Sequence, residues 1–427
     1  MRIAFVTQWF PPEPGMLVAS SIADGLAARG HHVDVLTGFP NYPTGRLHPD
    51  HPLRPYRREE RSERVTVHRA PLYPSHDRSA ARRAANYVSF AASSAWVARR
   101  RLQRPDAWLT YSSPATAALA ALTVPAHLRA PSYLLVQDLW PDSVTDSGFV
   151  GGPAAGAVGA ALGRFCAWTY RAAAGIGVIS PSMRDILVGR GADPARVHLT
   201  PNWVDDGHLL PGRTATDDLR RELGLPTGRL FMYAGNMGGL QGLAPLAEAF
   251  GRCPGATLAF VGDGVERADL EAAARGLPNV HFVDPQPESR IGLFIAASDV
   301  QVVSLKDTAL LRATMPSKVQ TSLAAGRPIL AHAAGDVADL VTAAGAGRAV
   351  PPGDVAALAD AVRSMSALPR HELLAMGRRA RACFERDFAK DPGLDRLERL
   401  LGGFPAAGAP RVPGAREPLP AGELAAP

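Results

Sequence analysis

The chain has 427 residues, 46% hydrophobic and 20% charged, the composition of a globular protein long enough for two domains. Its three cysteines, Cys166, Cys253 and Cys383, are far apart and form no CxxC, which excludes zinc ribbons and disulfide scaffolds and points to a reducing, cytoplasmic setting. Only Lys306, Lys318 and Lys390 are lysine; residues 1–206 hold 22 arginines against 16 acids, whereas residues 207–427 hold 24 basic and 24 acidic residues. The net positive charge of the first half suits an anionic partner, with peripheral contact at the inner face of a membrane. A nucleic acid fits the charge, but no nucleic-acid motif accompanies it.

The first apolar run, Ile3–Thr7, is too short for a signal peptide. It leads into Pro11-Pro12-Glu13-Pro14-Gly15, then a helical pattern from about Val18 to Arg29 closed by Gly30, then a strand over His32–Thr37. That is a βαβ unit. Further strands are predicted at Val65–His68, Trp108–Tyr111, Tyr133–Gln137, Gly175–Ile179 and Val197–Thr200, with helices near 79–103, 115–123, 153–172 and 182–190. The uncharged stretch Ala107–Leu128 contains Pro114 and Pro125 and reads as buried strand, turn and helix rather than a membrane span. The polar stretch 206–228 reads as a linker between residues 1–205 and 229–402. The second half repeats the alternation, with strands at Leu230–Ala234, Thr257–Val261, Val280–Val283, Val300–Ser304 and Pro328–Ala331 and helices between and after them. Residues 403–427 are rich in Pro, Gly and Ala and are expected to be a disordered tail. The fold class is therefore α/β, with two doubly wound, Rossmann-like domains facing a central cleft. Ligands of open α/β sheets bind at the edge where strands end and helices begin.

Candidate site residues fall at those edges. Gly15 and Met16 close the first βα loop, where backbone N–H groups can face a phosphate, although the loop also reads as an ordinary Pro-rich turn. Gly235-Asn236 follows the first strand of the second half as a second anion cradle, and Gly262-Asp263 is a weaker tight-turn signal. Lys318 sits in the first turn of a helix, where a cation opposes the macrodipole unless an anion binds there. Asp138, ending the strand Tyr133–Gln137, either binds a hydroxyl, accepts a proton or caps a turn. The segment Arg78–Arg104 has seven arginines, no acid and interleaved aromatics, suited to lipid headgroups or simply to a solvated helix face.

Taken together, these motifs resemble family 4 glycosyltransferases, retaining enzymes of GT-B fold. Phe10-Pro11-Pro12-Glu13-Pro14-Gly15, Thr37-Gly38-Phe39-Pro40-Asn41-Tyr42-Pro43, Asp138-Leu139-Trp140-Pro141 and Pro201-Asn202-Trp203-Val204-Asp205 carry the resemblance in the first half. Tyr233-Ala234-Gly235-Asn236, Pro316-Ser317-Lys318, Ala324-Ala325-Gly326-Arg327-Pro328 and Val350-Pro351-Pro352-Gly353-Asp354 carry it in the second. The subgroup looks like the fucosamine transferases of surface-polysaccharide assembly. The resemblance implies transfer of a sugar, such as an N-acetylhexosamine or deoxyhexosamine, from a nucleotide diphosphate sugar to a lipid-linked saccharide or a small metabolite. It implies no cofactor and no metal. It places Gly15, Met16, Gly235, Asn236, Gly262, Asp263, Thr321, Gly335 and Asp336 on the nucleotide sugar, Lys318 and Asp138 in catalysis, and Glu13 and Tyr42 on the acceptor side. Two glutamates common in the family are Ala313 and Thr321 here, an Arg and a Lys are Asn236 and Gln241, and Gly-Glu is Gly335-Asp336. A sugar-nucleotide epimerase of the same fold and a non-catalytic sugar-nucleotide binding protein are the rival readings.

Overall fold

The computed structural model describes residues 1–402 except 77, 78, 146–153, 208, 210–216, 223 and 227. The expected disordered tail, Arg78 and much of the expected linker lie outside the described residues. The N-terminal strands are β1 (Arg2–Val6), β2 (His32–Gly38), β3 (Arg57–Ser62), β4 (Val65–Ala70), β5 (Ala107–Ser112), β6 (Ser132–Val136), β7 (Gly175–Val178) and β8 (Val197–Leu199). They form one sheet in the order β3-β4-β2-β1-β5-β6-β7-β8. All neighbours are parallel except β3 and β4, an antiparallel edge pair. The second sheet, β11-β10-β9-β12-β13-β14, is parallel throughout; its strands are β9 (Arg229–Ala234), β10 (Ala256–Val261), β11 (Val280–Val283), β12 (Val300–Ser304), β13 (Ile329–His332) and β14 (Gly347–Val350). The sequence pattern misses β3, whose Arg57–Ser62 residues are all charged or polar, and the four-residue β14.

The helices of the first half are α1 (Leu17–Ala28), α2 (Ala80–Arg101), α3 (Leu119–Leu122), α4 (Asp142–Thr145), α5 (Ala154–Ala172) and α6 (Pro181–Gly189). Those of the second are α7 (Asp217–Glu222), α8 (Ala244–Gly251), α9 (Arg267–Ala273), α10 (Glu288–Ala297), α11 (Ala309–Arg312), α12 (Ser317–Ala324), α13 (Asp336–Ala343), α14 (Val355–Ala367), α15 (Arg370–Asp387) and α16 (Lys390–Leu400). Central strands such as β1 and β10 are buried along nearly their whole length, as parallel sheets covered on both faces require.

Two features depart from the sequence reading. The stretch read as a linker contributes Leu209, Leu219 and Leu225 to the apolar core of the C-terminal unit, and α7 lies within it. The last helix, α16, lies in a stretch assigned by sequence to the domain 229–402 without a predicted helix, and it packs on the N-terminal unit. Leu394, Leu397, Leu400 and Leu401 join Ile3, Phe5, Ile22 and Leu26 in one buried cluster. Arg29 of α1 pairs with Asp395 at 2.6 Å and Glu398 at 2.8 Å, and His31 Nε2 lies 2.9 Å from Glu398. The chain therefore crosses between units twice, near 203–206 and near 388–390. Trp203 ties the crossings together: its indole N–H donates to Ser21 Oγ at 2.7 Å, and its ring lies so close to Gly393 that a Cβ there would come within 2.2 Å of it. Asn202 Nδ2 donates to Gln137 Oε1 at 2.6 Å, and Gln320 Nε2 donates to the Asn202 carbonyl at 3.0 Å.

Candidate functional site

Between the units lies a cavity of about 720 Å³, within the size range of ligand sites. One wall is the start of α1, with Gly15, Leu17, Val18, Ser20 and Ser21; the other is Gly235, Asn236, Ser317, Lys318, Thr321 and Ser322. Trp203, Val204, Asp205 and Lys390 line the hinge end. Two of the chain's three lysines thus face one cavity. Both helix starts that face it, Met16 of α1 and Pro316 of α12, lack a side-chain cap. Their first N–H groups are left as donors, with the positive ends of two macrodipoles on opposing walls. Asp24, the carboxylate at the α1 wall, is already paired with Arg61 through two bonds of 2.8 and 2.9 Å.

Lys318 is half-buried, and its Nζ lies 5.0 Å from the centre of the Tyr233 ring. It has no carboxylate partner among the described residues. Burial therefore lowers its pKa below the usual lysine value. Gly235 makes the position possible: a Cβ there would meet Lys318 Cε at 2.5 Å. Tyr233 holds the adjoining loop, its hydroxyl donating to the Asn236 carbonyl at 2.6 Å.

Gly262 and Asp263 do not line this cavity. They brace the Gly235 loop from behind: the Gly235 N–H donates to the Val261 carbonyl and the Met237 N–H to the Asp263 carbonyl, both at 2.8 Å. A Cβ on Gly262 would come 2.3 Å from the Gly235 oxygen, so glycine is required for loop packing rather than for ligand approach. A neutral histidine sets the far end of the same loop. Ser304 Oγ donates to the Gln241 carbonyl at 2.7 Å, so it accepts from His332 Nδ1–H at 2.9 Å; His332 Nε2 then accepts the Gly353 N–H at 2.9 Å. Burial pushes the His332 pKa down, consistent with that uncharged state.

Asp138 lies in a second recess, of about 350 Å³, in the N-terminal unit. Sequence reasoning missed most of its lining, although Trp140 stands two residues from Asp138. Trp9 and Tyr87 have ring centres 6.4 Å apart, and Tyr87 and Trp140 5.7 Å apart. Val88, Val144, Val158 and Leu162 complete an apolar side. Ser113 Oγ donates to Asp138 at 2.5 Å, and the buried hydroxyl oxygens of Thr116 and Ser143 have no partner among the described residues. Asp138 is reachable through the mouth of the recess but enclosed by its walls, and this desolvation raises its pKa. Tyr42 is at the edge of the aromatic group, 5.7 Å from Trp9.

Glu13 takes a different place from the acceptor-side role expected of it. It is buried, and its carboxylate accepts the N–H groups of Phe10, Asn41 and Tyr42 at 3.0, 2.8 and 2.9 Å. It fastens the loop after β1 to the loop after β2. Gly335 and Asp336, expected on the donor sugar, are also off the cavity wall; Ser182 of the N-terminal unit engages the Asp336 carboxylate. Ala313, at the position of a family glutamate, is buried against the N-terminal unit. Among the described residues no cluster of His, Cys, Asp and Glu side chains is placed to hold a metal ion.

Residues 17–203 match the family described as Glycosyl transferase 4-like domain, and residues 228–367 match Glycosyl transferases group 1. The chain is 31% identical over 370 residues to the "Putative colanic acid biosynthesis glycosyl transferase WcaI" of Escherichia coli (strain K12), covering 83% of this chain and 89% of that one. The chain belongs to the family 4 glycosyltransferases. The enzyme is also 28% identical over 252 residues to the 2-deoxystreptamine glucosyltransferase of Streptomyces kanamyceticus, 55% of this chain and 63% of the relative. Its fold is GT-B. Sucrose-phosphate synthase (tll1590) from Thermosynechococcus elongatus superposes with a TM-score of 0.71 at 19% identity, over 96% of this chain and 100% of that one. Anabaena Alr3699/HepE in complex with UDP and glucose gives 0.65 at 15% identity, over 95% and 100%.

Glu13 generates a pH prediction. Burial raises its pKa from 4.5 to about 6 against the opposing pull of the three N–H groups and Arg69. Between those values the folded state binds the proton more tightly than the unfolded chain, so stability falls as pH rises from 4.5 to 6, by up to about 2 kcal/mol. Denaturant titrations across that window should show this slope in the wild type and its loss in Glu13→Gln.

Proposed function

We propose that this glycosyltransferase retains anomeric configuration and moves a hexose, an N-acetylhexosamine or deoxyhexosamine among the candidates, from a nucleoside diphosphate sugar to a lipid-linked saccharide. The observation that carries the donor half is the ammonium of Lys318, desolvated and without a carboxylate partner among the described residues, facing an uncapped helix start across the cavity. A diphosphate there would receive N–H groups from both walls and neutralise that charge. In the reaction proposed, the acceptor oxygen bonds to the anomeric carbon on the face from which the diphosphate leaves. The carbon–oxygen bond to the diphosphate breaks, and the leaving phosphate oxygen takes the acceptor proton. Lys318, Asn236 and the N–H groups near Gly15 and Met16 stabilise the charge that develops on the diphosphate. The cavity walls orient the reactants, and the reading calls on no metal or cofactor.

The recess around Asp138 supports the acceptor half. Aromatic faces pack against the apolar face of a sugar ring, while Asp138, reachable through the mouth, offers a partner for a hydroxyl. Its mouth lies between α2 and α5, which contain no acidic residue and expose Val88, Trp96, Val158 and Trp168. That surface suits a bilayer carrying the acceptor. The contribution of the arginines is smaller than their number suggests. Arg99 donates to the Thr123 carbonyl at 2.7 Å and Arg101 lies over the Tyr56 ring at 4.8 Å, both at the helix C-terminus, where cations complement the dipole. No helix among the described residues is long and apolar enough to cross a membrane.

Three measurements follow. Lys318→Ala should lower kcat by about 100-fold, the scale of losing one preorganised donor to a developing anion, with the fold intact by circular dichroism. In the wild type, the alkaline limb of kcat/KM should fall below pH 10.5, because protonated Lys318 is required and its pKa is depressed; Lys318→Arg should move that limb upward. Vesicles test the acceptor side: the protein should co-sediment with anionic liposomes at low salt, and Trp96→Ser with Trp168→Ser should abolish it. If wild type stays in the supernatant, the acceptor is a diffusible metabolite instead.

A further inference from the structure

Away from the hinge, the two units meet through a compact set of polar contacts. Asp336 begins α13 and is buried. Its carboxylate accepts the Ser182 N–H at 3.1 and 3.2 Å and the Ser182 hydroxyl at 2.8 Å. Two residues earlier, the buried Ser180 hydroxyl donates to the Ala313 carbonyl at 2.7 Å. Ser180 and Ser182 open α6 in the N-terminal unit, whereas Ala313 and Asp336 belong to the C-terminal unit. The carboxylate thus sits on the positive end of α6, and its charge strengthens bonds that a neutral acceptor would make weakly.

The C-terminal side of this contact is a single packed body. A Cβ on Gly335 would come 2.3 Å from the Arg312 carbonyl oxygen, so the Gly335-Asp336 turn lies directly on the turn carrying Ala313. Ala313 in turn joins Trp140, Ile179 and Met183 in a buried cluster of the N-terminal unit. Trp140 is the wall of the acceptor recess. In this arrangement the C-terminal unit lies against the recess around Asp138 while Gly15 lies opposite Lys318.

We propose that Asp336 and Ser182 form a closure latch: Asp336 is a positioning residue that locks the units across from the hinge and does not touch the donor sugar. Ala313 is small, apolar and buried, which lets its turn pack closely on the N-terminal unit. The kinetic consequence rests on the transferase reading above; the closure itself does not.

The test is a distance between the units. The native cysteines are buried, so spin labels on Arg100→Cys and Arg275→Cys report specifically. Double electron–electron resonance on the ligand-free protein should give a single distance population. Asp336→Ala should shift it to longer distances, Ser182→Ala, which keeps the backbone N–H bonds to the carboxylate, should shift it less in the same direction, and the double variant should open no further than Asp336→Ala. Ser180→Ala, which leaves the carboxylate in place, should give a smaller shift of the same sign. With donor, both single variants should lose roughly tenfold in kcat/KM, the scale of a charge-assisted hydrogen bond, mainly through KM and equally for every donor tried. Unchanged distances in both single variants would overturn the latch. So would a silent Ser182→Ala beside an Asp336→Ala variant whose KM rises for one donor sugar only, the signature of direct donor contact. Absence of transfer by the wild type would sink the transferase reading while leaving the distance result to decide the latch.

Discussion

A lysine ammonium drawn partly out of water needs a counter-charge, and the cleft is organised around the one that Lys318 lacks among the described residues. The Tyr233 ring, 5.0 Å away, compensates part of the lost hydration, as cations over aromatic faces do. It does not neutralise the charge. The side chain reaches this position only because residue 235 is glycine, and Gly235 keeps its place only because Gly262 allows the second loop to press against it. Removal of either glycine would push the loops apart and move the ammonium. The opposing wall answers with the N–H groups at the start of α1, and its carboxylate, Asp24, is already spent on Arg61. The cavity therefore has Lys318 and two helix N-termini on its walls, with Lys390 and Asp205 at the hinge end.

That arrangement works only while the two walls face each other, which links local chemistry to the global fold. Trp203 and the crossing helix α16 form the hinge side, with the indole packed on Gly393. Ser180, Ser182, Ala313 and Asp336 form the opposite side. The cavity lined by Gly15 and Lys318 lies between these two supports. Its shape is consequently a property of the closed pair of units rather than of either sheet alone, in keeping with ligand sites of α/β proteins at strand ends.

The parallel sheets, their cleft and the glycine loops at strand ends were legible in the sequence because fully buried strands and Gly-rich βα loops leave local patterns. Lys318 was legible through its rarity and its position in a helix's first turn. Other features leave no local signature. The strand Arg57–Ser62 is charged or polar throughout because it lies at an edge, so no hydrophobic alternation marks it. The helix Lys390–Leu400 is amphipathic, but nothing in its pattern states that its leucines join a core 370 residues earlier in the chain. Glu13 looks like a ligand-facing acid in a Pro-rich loop, yet three backbone N–H groups consume it. The recess around Asp138 draws Trp9, Tyr87, Ser113 and Trp140 from four separate segments, which only the fold brings together.

The central claim is that a diphosphate completes the cleft at Lys318. A crystal structure of the enzyme with a bound nucleoside diphosphate tests it most directly. The account predicts a phosphate oxygen within hydrogen-bond distance of Lys318 Nζ and another facing the N–H groups that follow Gly15. A diphosphate seated elsewhere, with Lys318 still over Tyr233 and without an anion, would contradict it.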